Sequence, residues 1–357
     1  MYRYSTGQPG KGTSLDETAS HAAPRPRATL RTIAQATGLA VTTISRALAQ
    51  DPRIAAQTRA LVAEAARAQG YVPDRAAQRL RTGRTKVVQL LLSLDHEFLG
   101  FTHDLLGGLA EALQGTGYSV TLFPDVMQAD RMTAVRQIVE NRLGDGIVLN
   151  RTEPFDPRVR YLTEQGFPFV SHGRTEFTTP HPWVDYDNEA FARAAVARLA
   201  EKRRSRLLMI LPDARYTFAQ HLRYGLIAAC RERGLHWETP ETVTLSTPAP
   251  EIAAFLRQRL AAPDAPDGVI SVGEVAAIAC LSAMSDLRLD PGRQLDVVVK
   301  RASAIFDLLR PNVDTVFEDL RGAGRAMGAV LLRSMRGEAA ADLHVLQSPK
   351  IEFAAHP

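Results

Sequence analysis

From Val87 onward the chain alternates short apolar, β-branched runs with amphipathic stretches, and this alternation restricts the possible folds more than any other feature. The runs Val87–Leu92, Val120–Phe123, Gly146–Leu149, Phe169–Ser171, Leu207–Leu211, Val243–Leu245, Val269–Val272 and Val297–Val299 are expected strands. Between them, Leu105–Leu113, Ala134–Asn141, Ala190–Ala200, Phe218–Arg231 and Ile252–Leu260 carry apolar residues at helical spacing. Strands that return through helices pair in parallel, and a parallel sheet needs helices on both faces. The pattern runs for about twice the length of one such unit. Two similar doubly wound parallel-sheet subdomains facing a cleft account for it, and ligands of open α/β sheets bind beyond the carboxyl ends of the strands.

The first 86 residues follow a different rule. Residues 1–28 are rich in Gly, Pro, Ser, Thr and Ala without an apolar period, the composition of a disordered tail. The run Gly10-Lys-Gly-Thr13 lacks both the spacing of a phosphate loop and a strand before it. Residues 29–73 read as a small all-α headpiece. Leu30, Ile33 and Ala34 share a face of a first helix that Gly38 breaks. Ile44 and Leu48 are four apart on a second, and Leu61, Val62 and Ala65 form the stripe of a third, which Gly70 and Pro73 end. Residues 74–86 form an Arg-rich linker with marginal helix propensity. Residues 1–86 hold 14 Lys/Arg against 5 Asp/Glu, a balance of +9, whereas residues 87–357 hold 29 against 34, a balance of −5. A basic head on an acidic body is the electrostatic footprint of a nucleic-acid binder with a separate second function.

Composition narrows the rest. With 45% hydrophobic and 23% charged residues the chain has the make-up of a globular protein. The two cysteines, Cys230 and Cys280, lie in apolar helical stretches, which implies a reducing compartment without disulfides. No apolar run approaches the ~18 residues of a membrane span, and the N-terminus lacks the pattern of a secretory signal. The expectation is a cytoplasmic protein with no membrane partner.

The sharpest local signal is Thr29–Leu48. A helix-turn-helix needs a small residue where its helices cross, supplied by Ala34, and a residue tolerant of positive φ in the turn, supplied by Gly38. With Ile44 and Leu48 buried, the second helix leaves Val41, Thr42, Thr43, Ser45 and Arg46 for a DNA groove. Here the sequence resembles the lactose-repressor/galactose-repressor family. The resemblance rests on Thr29-Leu30, Ile33-Ala34, Gly38, Thr43-Ile44-Ser45-Arg46-Ala47-Leu48, Thr58-Arg59, and Gly70-Tyr71-Val72-Pro73 followed by Ala77 and Leu80. It implies that Val41, Thr42 and Arg46 read base edges and that Thr43, Ser45, Arg53 and Thr58 hold phosphates. Thr29, Tyr71 and Arg75 are counted among the DNA-facing residues. It further implies that residues 74–82 form a hinge helix, with Ala77 permitting close helix approach and Leu80 wedging into the minor groove. The chain departs from the family in having Ala40 and Ala55, not Ser or Thr, before its second and third helices, so two N-caps are missing.

The resemblance continues to about Ile351 with the periplasmic sugar-binding fold, making 87–357 a sensing and dimerisation domain. Its landmarks are Asp145–Leu149, Pro168–Val170, Asp185–Asn188, Arg310-Pro311 and Glu318–Leu320. Matching the family's pocket onto this chain points to Phe101, Asn150, His172, Arg174, Arg223, Glu274 and Arg301. The family's ligand-gripping Asp is missing, and Val299-Lys300-Arg301-Ala302 stands in that region. Arg174, Arg301 and Arg223 against Glu274 alone imply a neutral or anionic ligand. The implied partners are inverted-repeat operator DNA, a sugar-like effector and a second copy of the chain. No cofactor or metal is implied. His96 and His103 read as a surface pair, and the metalloprotease, serine-hydrolase and cysteine-metal signatures are missing. Two other readings compete with an allosteric repressor of carbohydrate genes. One is a sugar-binding or carbohydrate-processing enzyme with an incidental basic N-terminus. The other is an architectural DNA-binding protein with a vestigial pocket.

Overall fold

The computed structural model describes residues 28–72, 79, 80, 82–92, 100–124, 131–310 and 313–353. The tail up to residue 27, Pro73, Arg75, Ala77, most of the expected hinge, His96 and Pro311 lie outside these residues. The chain divides into two compact units between residues 78 and 79.

Among its described residues the first unit holds three helices, α1 (Leu30–Thr37), α2 (Val41–Leu48) and α3 (Ala56–Ala68), around Ile33, Ile44, Ala47, Val62 and Ala66. Gly38 ends α1 at φ 69°, the left-handed conformation that the turn requires. Leu61, expected in the apolar stripe of α3, is instead 49% exposed. The inward row of α3 is Val62 and Ala66, four residues apart.

The second unit contains two six-stranded sheets. The first has the order β11-β5-β4-β3-β1-β2 and is parallel throughout. Its strands are β1 (Val87–Leu92), β2 (Ser119–Pro124), β3 (Gly146–Asn150), β4 (Phe169–His172), β5 (Trp183–Tyr186) and β11 (His344–Gln347). Side chains alternate across it as a pleat demands. Val88, Leu90, Leu92, Val148 and Val170 pack into a core with helices α4 (Phe101–Leu113) and α12 (Leu320–Ser334). Leu91, Ile147, Leu149 and Phe169 pack on the other face with α5 (Met132–Glu140) and α6 (Pro157–Glu164). Helices α4 and α12 approach through glycines: a Cβ at Gly324 would stand 2.2 Å from the Leu105 carbonyl oxygen.

The second sheet has the order β12-β10-β9-β8-β6-β7. Its strands are β6 (Arg206–Ile210), β7 (His236–Glu238), β8 (Gly268–Ser271), β9 (Asp296–Arg301), β10 (Asp314–Phe317) and β12 (Lys350–Glu352), of which only β12 is antiparallel to its neighbour. Helices α7 (Asn188–Glu201), α8 (Thr217–Arg233), α9 (Ala249–Leu260) and α10 (Glu274–Asp286) share its core, and the short α11 (Ile305–Leu308) follows β9. The chain passes between the sheets three times, after β5, after β10 and between β11 and β12.

The doubly wound class read from the sequence holds, but β5, β7, β10, β11 and β12 were not among the expected strands, and one expected strand is absent. Val243–Leu245 is not a strand. Its alternating apolar residues are buried, but the segment turns on a bond from the Thr244 N–H to Thr247 Oγ1, and β7 occupies the edge beside β6. Only the Leu245 N–H reaches toward the sheet, donating to the Leu211 carbonyl at 3.1 Å.

Candidate functional site

In the helical unit, burying Ile44 and Ala47 turns the opposite face of α2 outward. Val41, Thr42 and Arg46 are exposed, with Thr43 and Ser45 half-buried beside them. Thr42 and Arg46, like Val41 and Ser45, are four apart and share one row of the helix surface. Thr29 is the N-cap of α1: its Oγ1 accepts from the Thr32 N–H, and its own N–H donates back to Thr32 Oγ1 at 3.0 Å. Arg53 forms a two-pronged pair with Asp51, Nε to Oδ1 at 3.0 Å and Nη2 to Oδ2 at 2.8 Å. Hydrogen bonds from Arg53 hold the Asp51 carboxyl down at about 2. Arg59, which the sequence reading placed only among the family landmarks, donates to the Ile54 carbonyl at 2.6 Å and so fixes the turn before α3. Thr58 and Tyr71 are half-buried, and Tyr71 packs against the helical core. In the second unit, Leu80 is 89% exposed.

A cleft of the α/β unit, about 610 Å³ with its open mouth, lies at the carboxyl ends of strands from both sheets. Asn150 ends β3, His172 ends β4 and Tyr186 ends β5; from the other sheet come Lys300 near the end of β9 and Glu318 just after β10. Asn150 and His172 are register partners and therefore point the same way. Phe101 and Phe218, in the first turns of α4 and α8, supply aromatic walls, and Arg151, Asp185 and Asn188 complete the polar lining.

The polar groups are under tension. The Lys300 ammonium donates to Asn188 Oδ1 at 3.0 Å and sits 2.9 Å from Glu318 Oε2. Beyond that ion pair Glu318 Oε2 accepts no hydrogen bond among the described residues, and neither His172 Nε2 nor the Tyr186 hydroxyl has a partner there. Burial lowers the pKa of His172 against the pull of Glu318 and Asp185, which keeps its imidazole neutral. Burial also raises the Tyr186 phenol, with the Glu318 charge adding to it. A buried polar group left without a bond costs roughly 1–3 kcal/mol, and three of the six such atoms among the described residues lie in this cleft.

Of the expected pocket residues, the structure brings Phe101, Asn150 and His172 to the cleft. Arg174, Arg223, Glu274 and Arg301 are not in its lining. Arg174 turns to Asp185, Nε to Oδ2 at 2.7 Å, and lies over the Trp183 ring. Glu274 is fully buried and clamps the loop after β9, accepting from the backbone N–H groups of Ala302 at 3.0 Å and Ser303 at 2.7 Å. Arg301 is directed away by the two-residue period of β9. Its guanidinium donates to Glu352 and to the Ser303 carbonyl, while its neighbour Lys300 takes the inward position. Arg223 lies half-buried on α8, next to Leu222 in the core. The arginine excess expected around the ligand is thus withdrawn: the lining holds Arg151 and Lys300 against Asp185 and Glu318.

The comparisons agree with this architecture. Residues 29–74 match the bacterial regulatory proteins of the lacI family, and residues 196–353 match a periplasmic binding protein-like domain. The HTH-type transcriptional regulator AglR of Rhizobium meliloti is 30% identical over 313 residues, 86% of this chain and 87% of that protein. The chain belongs to the lacI family of bacterial regulatory proteins. The HTH-type transcriptional regulator RafR of Escherichia coli is 27% identical to this lacI-family regulator over 324 residues, 90% of this chain and 96% of that one. In fold it is similar to the lac repressor dimer bound to operator and the anti-inducer ONPF. There the TM-score is 0.78 at 18% identity, covering 92% of this chain and 98% of that one. The complex of the transcriptional regulator CelR with cellobiose gives a TM-score of 0.66 at 23% identity, covering 92% and 99%.

Four lining residues of this lacI-family regulator escaped the sequence reading as site residues although they stood in its landmarks: Asp185, Tyr186 and Asn188 in one run, and Glu318 in another. They stand at or just beyond the ends of β5 and β10, two strands that the apolar pattern did not mark. Phe218 and Arg151 carried no signal, because they reach the cleft from a helix start and a loop.

Proposed function

We propose that this transcriptional regulator binds an inverted-repeat operator as a homodimer, and that a small sugar-like effector in the α/β cleft sets its operator affinity, as in a repressor of carbohydrate genes. The observation that carries the effector half is the cleft itself: aromatic walls from Phe101 and Phe218 over polar groups that converge from the strand ends of two sheets, the chemistry of a saccharide site. CelR in complex with cellobiose supports the same class of ligand. On the DNA side, Val41, Thr42 and Arg46 face base edges in this reading, with Thr43, Ser45, Thr58 and Tyr71 at the backbone. Arg53 reaches a phosphate only by leaving Asp51, and Thr29 contributes as the cap that sets the first helix. Arg75, Ala77 and Leu80 belong to a hinge that orders on DNA, for which the 89% exposure of Leu80 leaves the side chain available. Residues 29–73 and 87–357 act as reading and sensing domains joined by 74–86, and no catalysed reaction forms part of this reading.

Gel-shift titration of the full chain on inverted-repeat DNA, against a scrambled duplex and with neutral sugars added, tests the proposal. Tighter binding to the repeat and a sugar-dependent change in that affinity are expected. Equal affinity for both duplexes overturns the operator half, and indifference to every sugar overturns the effector half. Light scattering should return a dimer mass, and hydrogen exchange over 74–82 should slow when operator is added.

A further inference from the structure

Three buried polar atoms in one cleft, none with a hydrogen bond among the described residues, make a stronger statement than the presence of a cleft. They are Glu318 Oε2, His172 Nε2 and the Tyr186 hydroxyl. Tyr186 is 1% exposed and Glu318 4%, so neither is a surface group. The three have different requirements. A carboxylate oxygen only accepts, so Glu318 Oε2, ion-paired with Lys300, can take a further donor. A phenol both donates and accepts. A neutral imidazole nitrogen does one or the other according to its tautomer. A hydroxyl group meets all three needs, because it donates and accepts at once.

Both carboxylates of the lining already have cationic partners. Lys300 faces Glu318 at 2.9 Å, and Asp185 is held by Arg174 at 2.7 Å. The Arg151 guanidinium lies over the ring of Tyr216, 5.2 Å from its centroid, with Nη1 3.5 Å from its hydroxyl. A carboxylate or phosphate group placed against Glu318 would bring oxygens that only accept toward a second negative charge.

We propose that Tyr186, His172 and Glu318 are the specificity-determining residues of the cleft, and that they select an uncharged polyhydroxyl ligand over sugar acids and sugar phosphates by reading adjacent hydroxyls. This rests on the reading of the cleft as an effector site. Lys300 is a positioning residue: its ammonium, 2.9 Å from Glu318 Oε2, fixes the direction of that carboxylate, so that it accepts from a hydroxyl.

Calorimetric titration of the full chain with maltose, melibiose and cellobiose, and separately with glucuronate and glucose 6-phosphate, tests the proposal. Wild type should bind at least one neutral sugar and neither anion. Tyr186→Phe removes only the hydroxyl. It should weaken neutral-sugar binding by about two- to twelvefold, the effect of one hydrogen bond. Without ligand its thermal midpoint should be unchanged or higher, since no protein group uses that hydroxyl. A purely structural tyrosine would show the reverse, a lower midpoint with unchanged affinity, and that result overturns the proposal. Glu318→Gln alone leaves Lys300 buried opposite a neutral group and risks misfolding. The double variant Lys300→Met/Glu318→Gln removes both charges and should fold yet lose neutral-sugar binding by tenfold or more. Binding of glucuronate or glucose 6-phosphate by wild type, with no neutral sugar bound, overturns the selectivity while the effector site stands. Neutral-sugar binding that all variants share equally overturns the residue assignment. Binding of none of the five overturns the effector site itself.

Discussion

Restoring the two missing helix caps should stabilise the reading head measurably. Ala40 precedes α2 at φ −64° and ψ 144°, and Ala55 precedes α3 at φ −56° and ψ 143°; neither gives its helix a side-chain cap. Both backbones already stand near the extended conformation of a capping residue, so Ala40→Ser and Ala55→Ser need little rearrangement to accept from the second or third N–H of the helix. Each should contribute about 1 kcal/mol. The core of this unit is small, built on Ile33, Ile44, Ala47, Val62 and Ala66, so such an increment is a large share of its stability. One cap corresponds to roughly fivefold slower amide exchange, and two that act independently to about thirtyfold. The assay is hydrogen exchange of the full chain, read on peptides covering 41–48 and 56–68. Thr29→Ala is the internal control, since Thr29 already caps α1 with the reciprocal bond to Thr32, and its loss should speed exchange by a similar factor. Unchanged exchange in both serine variants, alongside faster exchange in Thr29→Ala, would refute the reasoning.

Other outcomes follow from single contacts. Gly324→Ala drives a methyl to 2.2 Å from the Leu105 carbonyl oxygen, backbone that cannot swing aside, and should lower the thermal midpoint by an amount matching about 1–3 kcal/mol; an unchanged midpoint would show that α4 and α12 separate without loss. Arg46→Ala should reduce preference for the operator over scrambled DNA by about 1–3 kcal/mol in gel shifts, whereas an equal loss on both would make Arg46 a phosphate contact. His181 is buried, and burial lowers its pKa to about 4, so the folded protein binds fewer protons than the unfolded chain. Its contribution to stability is present above about pH 6.5 and is lost as pH falls toward 4; His181→Phe, which keeps the stack on Phe169, should flatten that limb of a urea-midpoint profile, and an unaltered limb would assign it to other groups.

The fold was readable where a long period reported burial on both sides, as in Val87–Leu92 and Gly146–Leu149. It was unreadable where short edge strands carry mixed residues. His344–Gln347 and Lys350–Glu352 are half-exposed or fully exposed, and no apolar run distinguishes them from a loop. Val243–Leu245 misled for the opposite reason, since a buried turn can alternate as a strand does. The cleft shows a finer limit. Sequence located β9 but not its register, and a shift of one residue exchanges Arg301 for Lys300 on the inward face. Arg174 and Glu274 were misjudged because a charged residue near a strand end can be consumed by a neighbour such as Asp185, or by a loop backbone, and only coordinates show which.

The three passages of the chain between its sheets bear on how the molecule is made. Strand β5 is synthesised with its outer edge open, and the strand that covers it, β11, emerges about 160 residues later. At ribosomal rates that interval is roughly 8–30 s, long enough for an unpaired edge to meet other nascent chains. Neither sheet is a continuous stretch of sequence, so neither can be expressed alone as an intact half. Damage to residues 344–352 should therefore appear first as poor yield and chaperone dependence, with the ligand and DNA behaviour of the surviving molecules largely preserved.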